Sequence, residues 1–441
     1  MAAIDLSKVK FTKNSDKVIT DGGIFNPVGS EVKTLAGNDE IIANTAIETY
    51  FFTGLTVELA TEILGLVGPV TLSSTSAVRT NAFNNQGSIY TNQGRDVLKG
   101  VASAKSTAIL DIVAKTIAIA NKFDAIAITK IFGTLDSSVI ANGIVNSGKI
   151  NTGNGDDSVD GETTGSIFAA ATATVDATAI VDAVAQASYS KGLIAFSQVF
   201  AKSLAKATVQ ATGINNIGGE ITTSKGGDTV NAVATSYSAT YAASSSTTFS
   251  SASPNNQALA IGVAKAIARV KDKAIAIDNT NGSIDLGKGA DIINATAKAS
   301  GTAIAINNIQ GSIETGLDDD TIKAYATGRK SYGIFGGSVE TGNGNDRVEA
   351  SSFGGGVNID TGIDNDFVRG FGEAKINGGL GFDTLDLGSF RLGYFDISFG
   401  AKNNQVFFER NDIIMSTSRF EQFVFDNGKS TLTYDQLVAA V

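Results

Sequence analysis

The sequence predicts an all-β dominated chain: a parallel β-solenoid (β-helix or β-roll) carrying helical lateral excursions and closed by an aromatic C-terminal β-cap. Three observations predict it. A ten-residue stretch, clearest as Val339-Glu-Thr-Gly-Asn-Gly-Asn-Asp346-Arg-Val348, returns nine times. The spacing between copies falls from 57–71 residues to 17–29 along the 441-residue chain. Finally, the segment after Leu387 drops the motif and carries eight of the 24 phenylalanines. Self-similarity at a fixed pattern marks a stacked repeat, in which one unit alone cannot bury its apolar face.

The copies centre on Asp39, Asp96, Asp157, Asp228, Asp291, Asp320, Asp346, Asp366 and Asp383. Each has Ile or Val seven positions before and Ile, Val or Leu two after. Residues 1–30 read as an N-terminal cap of an opening strand or two, with Asp21-Gly-Gly as a turn and Pro27 as a break. The first copy is degenerate, with Leu35 where glycine is usual, which suits a capping coil. Residues 31–290 then form solenoid units with long insertions. Three of these share Ala-Lys-x-(Ile/Leu)-Ala, and Leu193–Ala207 and Ala258–Lys271 space their large apolar residues by three to four. That spacing and the alanine content predict helices; wider, all-strand circuits are the alternative. Tyr237–Asn256, rich in Ser, Thr and Ala, reads as a surface loop or a flat strand region. Residues 291–388 form compact units, in which Ile293, Ala295, Ala297 and Ala299 alternate as a half-buried strand does. Residues 389–441 form the cap, with Asp426-Asn-Gly428 as a hairpin turn, and cover an edge that would otherwise invite pairing.

Composition removes whole classes of chemistry. With no histidine and no cysteine, Ser-His-Asp, Cys-His, zinc-protease and disulfide frameworks are excluded. The net charge of −10 lacks the basic clusters that nucleic acid requires. No apolar run reaches the roughly 18 residues of a transmembrane helix, so no integral membrane span is expected. The N-terminal residues lack the charged start and apolar run of a cleavable signal peptide. Paired carboxylates at Asp156-Asp157 and Asp318-Asp319-Asp320 sit inside the repeat turns, where they read as turn ligands before they read as a glycosidase pair.

The repeated turn has a physical logic. Gly fills seven of nine positions two before the Asp and six of nine positions four before it, which lets the backbone reach positive φ and orient its carbonyls together. Stacked coils lie about 4.8 Å apart, so the Asps form a column of like charge. Neighbours at that distance repel by about 1 kcal/mol in water and severalfold more near protein. A cation would offset this, and a set of oxygen-only ligands points to Ca²⁺.

Gly378-Gly-Leu-Gly-Phe-Asp-Thr-Leu385, Thr341-Gly-Asn-Gly-Asn-Asp-Arg-Val348 and Thr152-Gly-Asn-Gly-Asp-Asp-Ser-Val159 resemble the RTX, or haemolysin-type, calcium-binding nonapeptide Gly-Gly-x-Gly-x-Asp-x-U-x, with U apolar. The resemblance covers the turns between about residues 32 and 388. It implies Ca²⁺ bound between neighbouring coils by the column Asp39, Asp96, Asp157, Asp228, Asp291, Asp320, Asp346, Asp366 and Asp383. Backbone carbonyls of Gly153, Gly155, Gly342, Gly344, Gly379 and Gly381 would complete the sites, with Asp318 and Asp364 as further candidates. This chain departs from the family by having one such turn per circuit, where tandem nonapeptides place turns on both sides of a flat roll.

The function expected from this is a secreted, non-catalytic, calcium-binding structural protein of the cell surface or matrix: surface layer, sheath, filament or adhesin. The resemblance further implies export without a cleaved N-terminal signal, read from a C-terminal segment that includes Leu432–Val441. Partners expected are other copies, head-to-tail or lateral, and a cell-surface polysaccharide. One alternative is a calcium-dependent polysaccharide lyase or epimerase, which needs a basic-lined groove. A lesser alternative is a pore-forming toxin, which needs an amphipathic membrane domain.

Overall fold

The computed structural model describes residues 3–61, 64–120, 125–181, 194–252 and 257–441. Two long parallel sheets run the length of the chain and face each other across one continuous Ala/Ile/Val core. A representative circuit leaves the Asp157 turn as the strand Ser158–Val181 in one sheet and returns through Ile194–Asn215 in the opposite sheet. It turns at Asn216, adds the short strand Glu220–Thr222 and enters the Asp228 turn. The next coil repeats the path one strand further along, with unbroken parallel register from Ser158↔Thr229 to Val181↔Ala252.

The insertions are strands, and the helices expected at Leu193–Ala207 and Ala258–Lys271 are absent. These segments lie in the 22-residue strands Ile194–Asn215 and Gln257–Asp278; Leu193 itself falls outside the described residues. Phe196, Phe200 and Leu204 are four apart, and so are Leu259, Val263 and Ile267. Four is close to the helical period, but it is also even, so in a strand all of them share one face. The intervening Ala195, Ser197, Val199, Ala201, Ser203 and Ala205 are all buried, giving a strict alternation along the strand. Small inward residues let the two sheets approach closely, and that packing overrides the helix propensity of alanine. The insertions thus widen each circuit into a flat two-sheet blade four coils thick. Of Tyr237–Asn256, Tyr237–Ala252 belongs to its last coil, as part of the strand Thr229–Ala252; residues 253–256 fall outside the described residues.

Beyond Asp278 the circuits shorten to strands such as Ile292–Lys298 and Thr302–Asn307 while both sheets continue. The C-terminal cap is antiparallel as expected. Asp396–Phe399, Val406–Arg410 and Ile413–Ser418 form a meander, and Gln422–Phe425 pairs Ser430–Thr433 across the Asp426-Asn427 turn. Phe395, Phe408, Phe423 and Phe425 pack with ring centroids 5.6–6.5 Å apart over the end of the core. A short helix, Tyr434–Ala440, ends the chain behind a capping box formed by Thr433 and Gln436.

Candidate metal centre

Each repeat Asp follows a tight turn and precedes a sheet strand, with its side chain turned into the stack. The nine are buried, at 0–2% exposure. Their Oδ1 atoms form a continuous ladder along the stack. The amide N–H of Asp39 donates to Asp96, Asp96 to Asp157, Asp157 to Asp228 and Asp228 to Asp291 at 2.6–2.8 Å. Asp291, Asp320, Asp346 and Asp366 continue it to Asp383 at 2.8–2.9 Å. Two members were not anticipated. The amide of Asp16 donates to Asp39 at one end, and Glu421 accepts from Asp383 at the other. Asp16 was legible in principle, since Val9 and Val18 stand at the two motif offsets; its turn simply has no glycine.

The second carboxylate oxygen is different. Oδ2 of all nine aspartates is buried and has no hydrogen-bond partner. It faces the residue five before the Asp: a Cβ on Gly378, which holds that position in the last coil, would lie 2.8 Å from Asp383 Oδ2. In most other coils that residue is Thr. Thr34, Thr91, Thr315 and Thr341 spend their hydroxyl protons on carbonyls of the next coil, so none of those protons is left for Oδ2. A buried carboxylate oxygen with no donor is costly. Burial accordingly raises the pKa to about 7 at Asp157, Asp320 and Asp366, about 8 at Asp291 and about 6 at Asp383, against 3.8 ordinarily. Asp96, Asp228 and Asp346 move up for the same reason. The amide bonds oppose the rise, as does the nearby Thr hydroxyl at Asp157 and Asp320, though its geometry falls short of a hydrogen bond to Oδ2; neighbouring carboxylates add to the rise at most of these positions.

The glycines hold the turns at coil spacing. Gly155 has φ 137°, and a Cβ there would come within 1.7 Å of Gly94 O. The same carbonyl-to-Cα stacking occurs at Gly153, Gly342, Gly344, Gly379 and Gly381, so turn carbonyls point coil to coil along the column. Those of Gly155 and Gly344 accept no hydrogen bond among the described residues. Asp318 and Asp364 take the second glycine's place at φ 84° and 85°, and both are exposed on the rim. They do not join the buried column, but Asp318 lies near enough to Asp291 and Asp320, and Asp364 to Asp346, to raise their pKa.

Oxygen-only donors with orphaned carboxylate atoms fit a hard divalent cation. Among the described residues no group of three or more acidic side chains converges, so any ion here would rely on one or two column carboxylates completed by carbonyls. Beside the column runs a second ladder on the turn surface. Asp319 accepts from the amide of Asn345, Asn345 from Asn365, and Asn365 from Phe382.

A third ladder, at the opposite end of the short strand, went unforeseen. Asn26, Asn85, Asn146, Asn216, Asn279 and Asn308 are buried, and each Nδ2 donates to the next Oδ1 at 2.7 Å. The signal was an Asn four to six residues before each of the first six leading Ile or Val residues, with Gly between. Along this corner runs a shallow groove of about 790 Å³. Its charged lining is Glu31, Lys149 and Glu220, with Lys149 and Glu220 paired at 2.6 Å. No family model matches the chain, and no curated protein or solved structure matches it.

Proposed function

We propose that this chain is an extracellular, calcium-binding β-solenoid of RTX type with a structural role, a surface-layer, sheath, filament or adhesive component without catalytic activity. The observation that carries the reading is the column of nine buried aspartates, each with one oxygen satisfied by a neighbour's amide and the other by nothing. The residues that would hold Ca²⁺ are these Oδ2 atoms, with the backbone carbonyls of Gly153, Gly155, Gly342, Gly344, Gly379 and Gly381. The ion would supply the positive charge that lets neighbouring carboxylates ionise together. A chain exported unfolded through calcium-poor cytosol would then fold where calcium is abundant, because metal binding free energy is folding free energy. The corner groove, with Glu31 and Glu220 beside its single lysine, favours this over a polyuronate lyase, which calls for a basic lining.

A second reading of the same column is favoured by the raised pKa values: neutral carboxyl groups whose Oδ2–H donates to the adjacent Thr hydroxyl in the coils that have one, all but those of Asp291 and Asp383. It keeps the structural role and removes the metal. Isothermal titration of the chelated protein with Ca²⁺ near pH 8 separates the two. Multiple sites with a folding or stability gain support calcium; no heat and no change of stability would leave the acid ladder in its place.

A further inference from the structure

The blade has four free strand edges. On the N-terminal side, Lys17–Thr20 covers only Glu40–Ala43 and Ile24–Asn26 only Phe83–Asn85. Residues 44–61 and 64–82 therefore meet no further strand among the described residues. On the C-terminal side, Ile292–Lys298 covers only Thr229–Thr235, and Thr302–Asn307 only Lys273–Asp278. Residues 236–252 and 257–272 are left open there. Such edges are templates for pairing with another chain.

Their chemistry is complementary. Residues 44–61 include Glu48 and Glu58 and no basic residue, whereas 257–272 include Lys265, Arg269 and Lys271, and their one acidic residue, Asp272, is buried and bonded by Ser236 and Ser300. Glu58, Lys265, Arg269 and Lys271 form no ion pair among the described residues. The outward faces of both edges are apolar in their other part: Tyr50 and Phe52 are 74% and 69% exposed on one, Leu259 and Val263 50% and 46% on the other. The remaining two edges are mostly Ser, Thr and Ala, with Arg79 their one charge.

We propose that these edges join copies of this chain into a filament, residues 257–272 of one copy pairing with 44–61 of the next. Direct stacking by translation is blocked, because the coil beginning at Ile292 already occupies the base of the C-terminal edge. A half turn about the stack axis removes the obstacle. It points the second blade the opposite way and exchanges the two sheets. Strands of one sheet run outward and those of the other return, so the exchange also restores parallel pairing, as in the coils themselves. The acidic edge then meets the basic one. Outward residues are even-numbered on the first strand and odd-numbered on the second, and the register that sets Glu58 beside Arg269 also sets Tyr50 beside Ile261 and Phe52 beside Val263. The contact is heterologous and does not close on itself, so it propagates. This deepens the assembling part of the function proposed above and does not rest on calcium.

The absence of cysteine makes the test clean. The full chain carrying Tyr50→Cys with Ile261→Cys, mildly oxidised, gives a ladder of disulfide-linked multimers, since adjacent strands bring Cα atoms within disulfide reach. Each single variant stops at a dimer. Glu58→Lys or Arg269→Glu alone weakens association about 5-fold, and the double swap restores it, with far-UV circular dichroism checking the fold of each. A monomeric wild-type light-scattering profile at the highest soluble concentration, or crosslinks confined to identical positions, overturns the proposal. Calcium binding measured on the same samples keeps the two claims apart. Binding without multimers sinks the filament contact alone, and multimers without binding sink the calcium reading alone.

Discussion

Asp320 shows how much chemistry one position carries. Its Oδ1 accepts the amide of Asp291, its own amide donates to Asp346, and its Oδ2 faces Thr315, whose proton is committed to Thr341 O. A carboxyl whose pKa is higher folded than unfolded contributes stability fully below the unfolded value and loses it as pH rises through the folded one. With folded values of about 7 for Asp157, Asp320 and Asp366 and about 8 for Asp291, against 3.8, the chelated protein is most stable near pH 4 and weakens toward pH 8. Thermal melts in chelator across that range show a falling Tm, and melts in Ca²⁺ show a flatter one; a Tm that rises with pH in chelator contradicts the burial argument. Asp320→Asn keeps an acceptor for the Asp291 amide and removes the charge. In chelator at pH 8 it raises Tm by ~2 °C or more, while the gain on adding Ca²⁺ shrinks. If the Asp320→Asn variant melts below wild type in chelator, the carboxylate is not the liability described. The Asn ladder carries no charge and behaves differently. Asn216→Ala removes the acceptor for Asn146 Nδ2 and the donor to Asn279 Oδ1, costing about 2 kcal/mol at every pH, read from the urea midpoint.

At the scale of the element, glycine and alanine set the dimensions. Gly155→Ala must displace Gly94 O from 1.7 Å, so its cost is about 3 kcal/mol. Gly218→Ala at φ 66°, with nothing nearby, costs about 1 kcal/mol, and equal urea midpoints for the two would refute coil-to-coil contact. Ala205→Leu, between the sheets, costs about 2 kcal/mol by overpacking; Lys206 one residue on, half-buried on the outer face, tolerates the same change. These contrasts explain what could be read beforehand. The Asp column and its apolar flanks were legible because turn and stack demand the same residues in every coil. The blade was not, because Phe196, Phe200 and Leu204 satisfy the helical and strand periods together and only the opposite sheet decides between them. Asp16 was hidden by the loss of its glycines. The asparagine corner was hidden by its variable distance from the following strand.

On the scale of the whole molecule, the stack is asymmetric. Its wide blade leaves open edges, whereas its narrow C-terminal run of coils is sealed by the aromatic cap. The column runs through both parts, and on the calcium reading an ion held at one interface would order the coil that completes the next. Unfolding in the calcium-bound state is therefore expected to be cooperative across the column, seen as one transition by far-UV circular dichroism and by tyrosine fluorescence. The most direct measurement is far-UV circular dichroism of the purified chain at pH 8, in Ca²⁺ and after chelation. A β spectrum that is lost or melts markedly lower on chelation, and returns with Ca²⁺, is the result predicted; an identical spectrum and Tm in both states would contradict the calcium column.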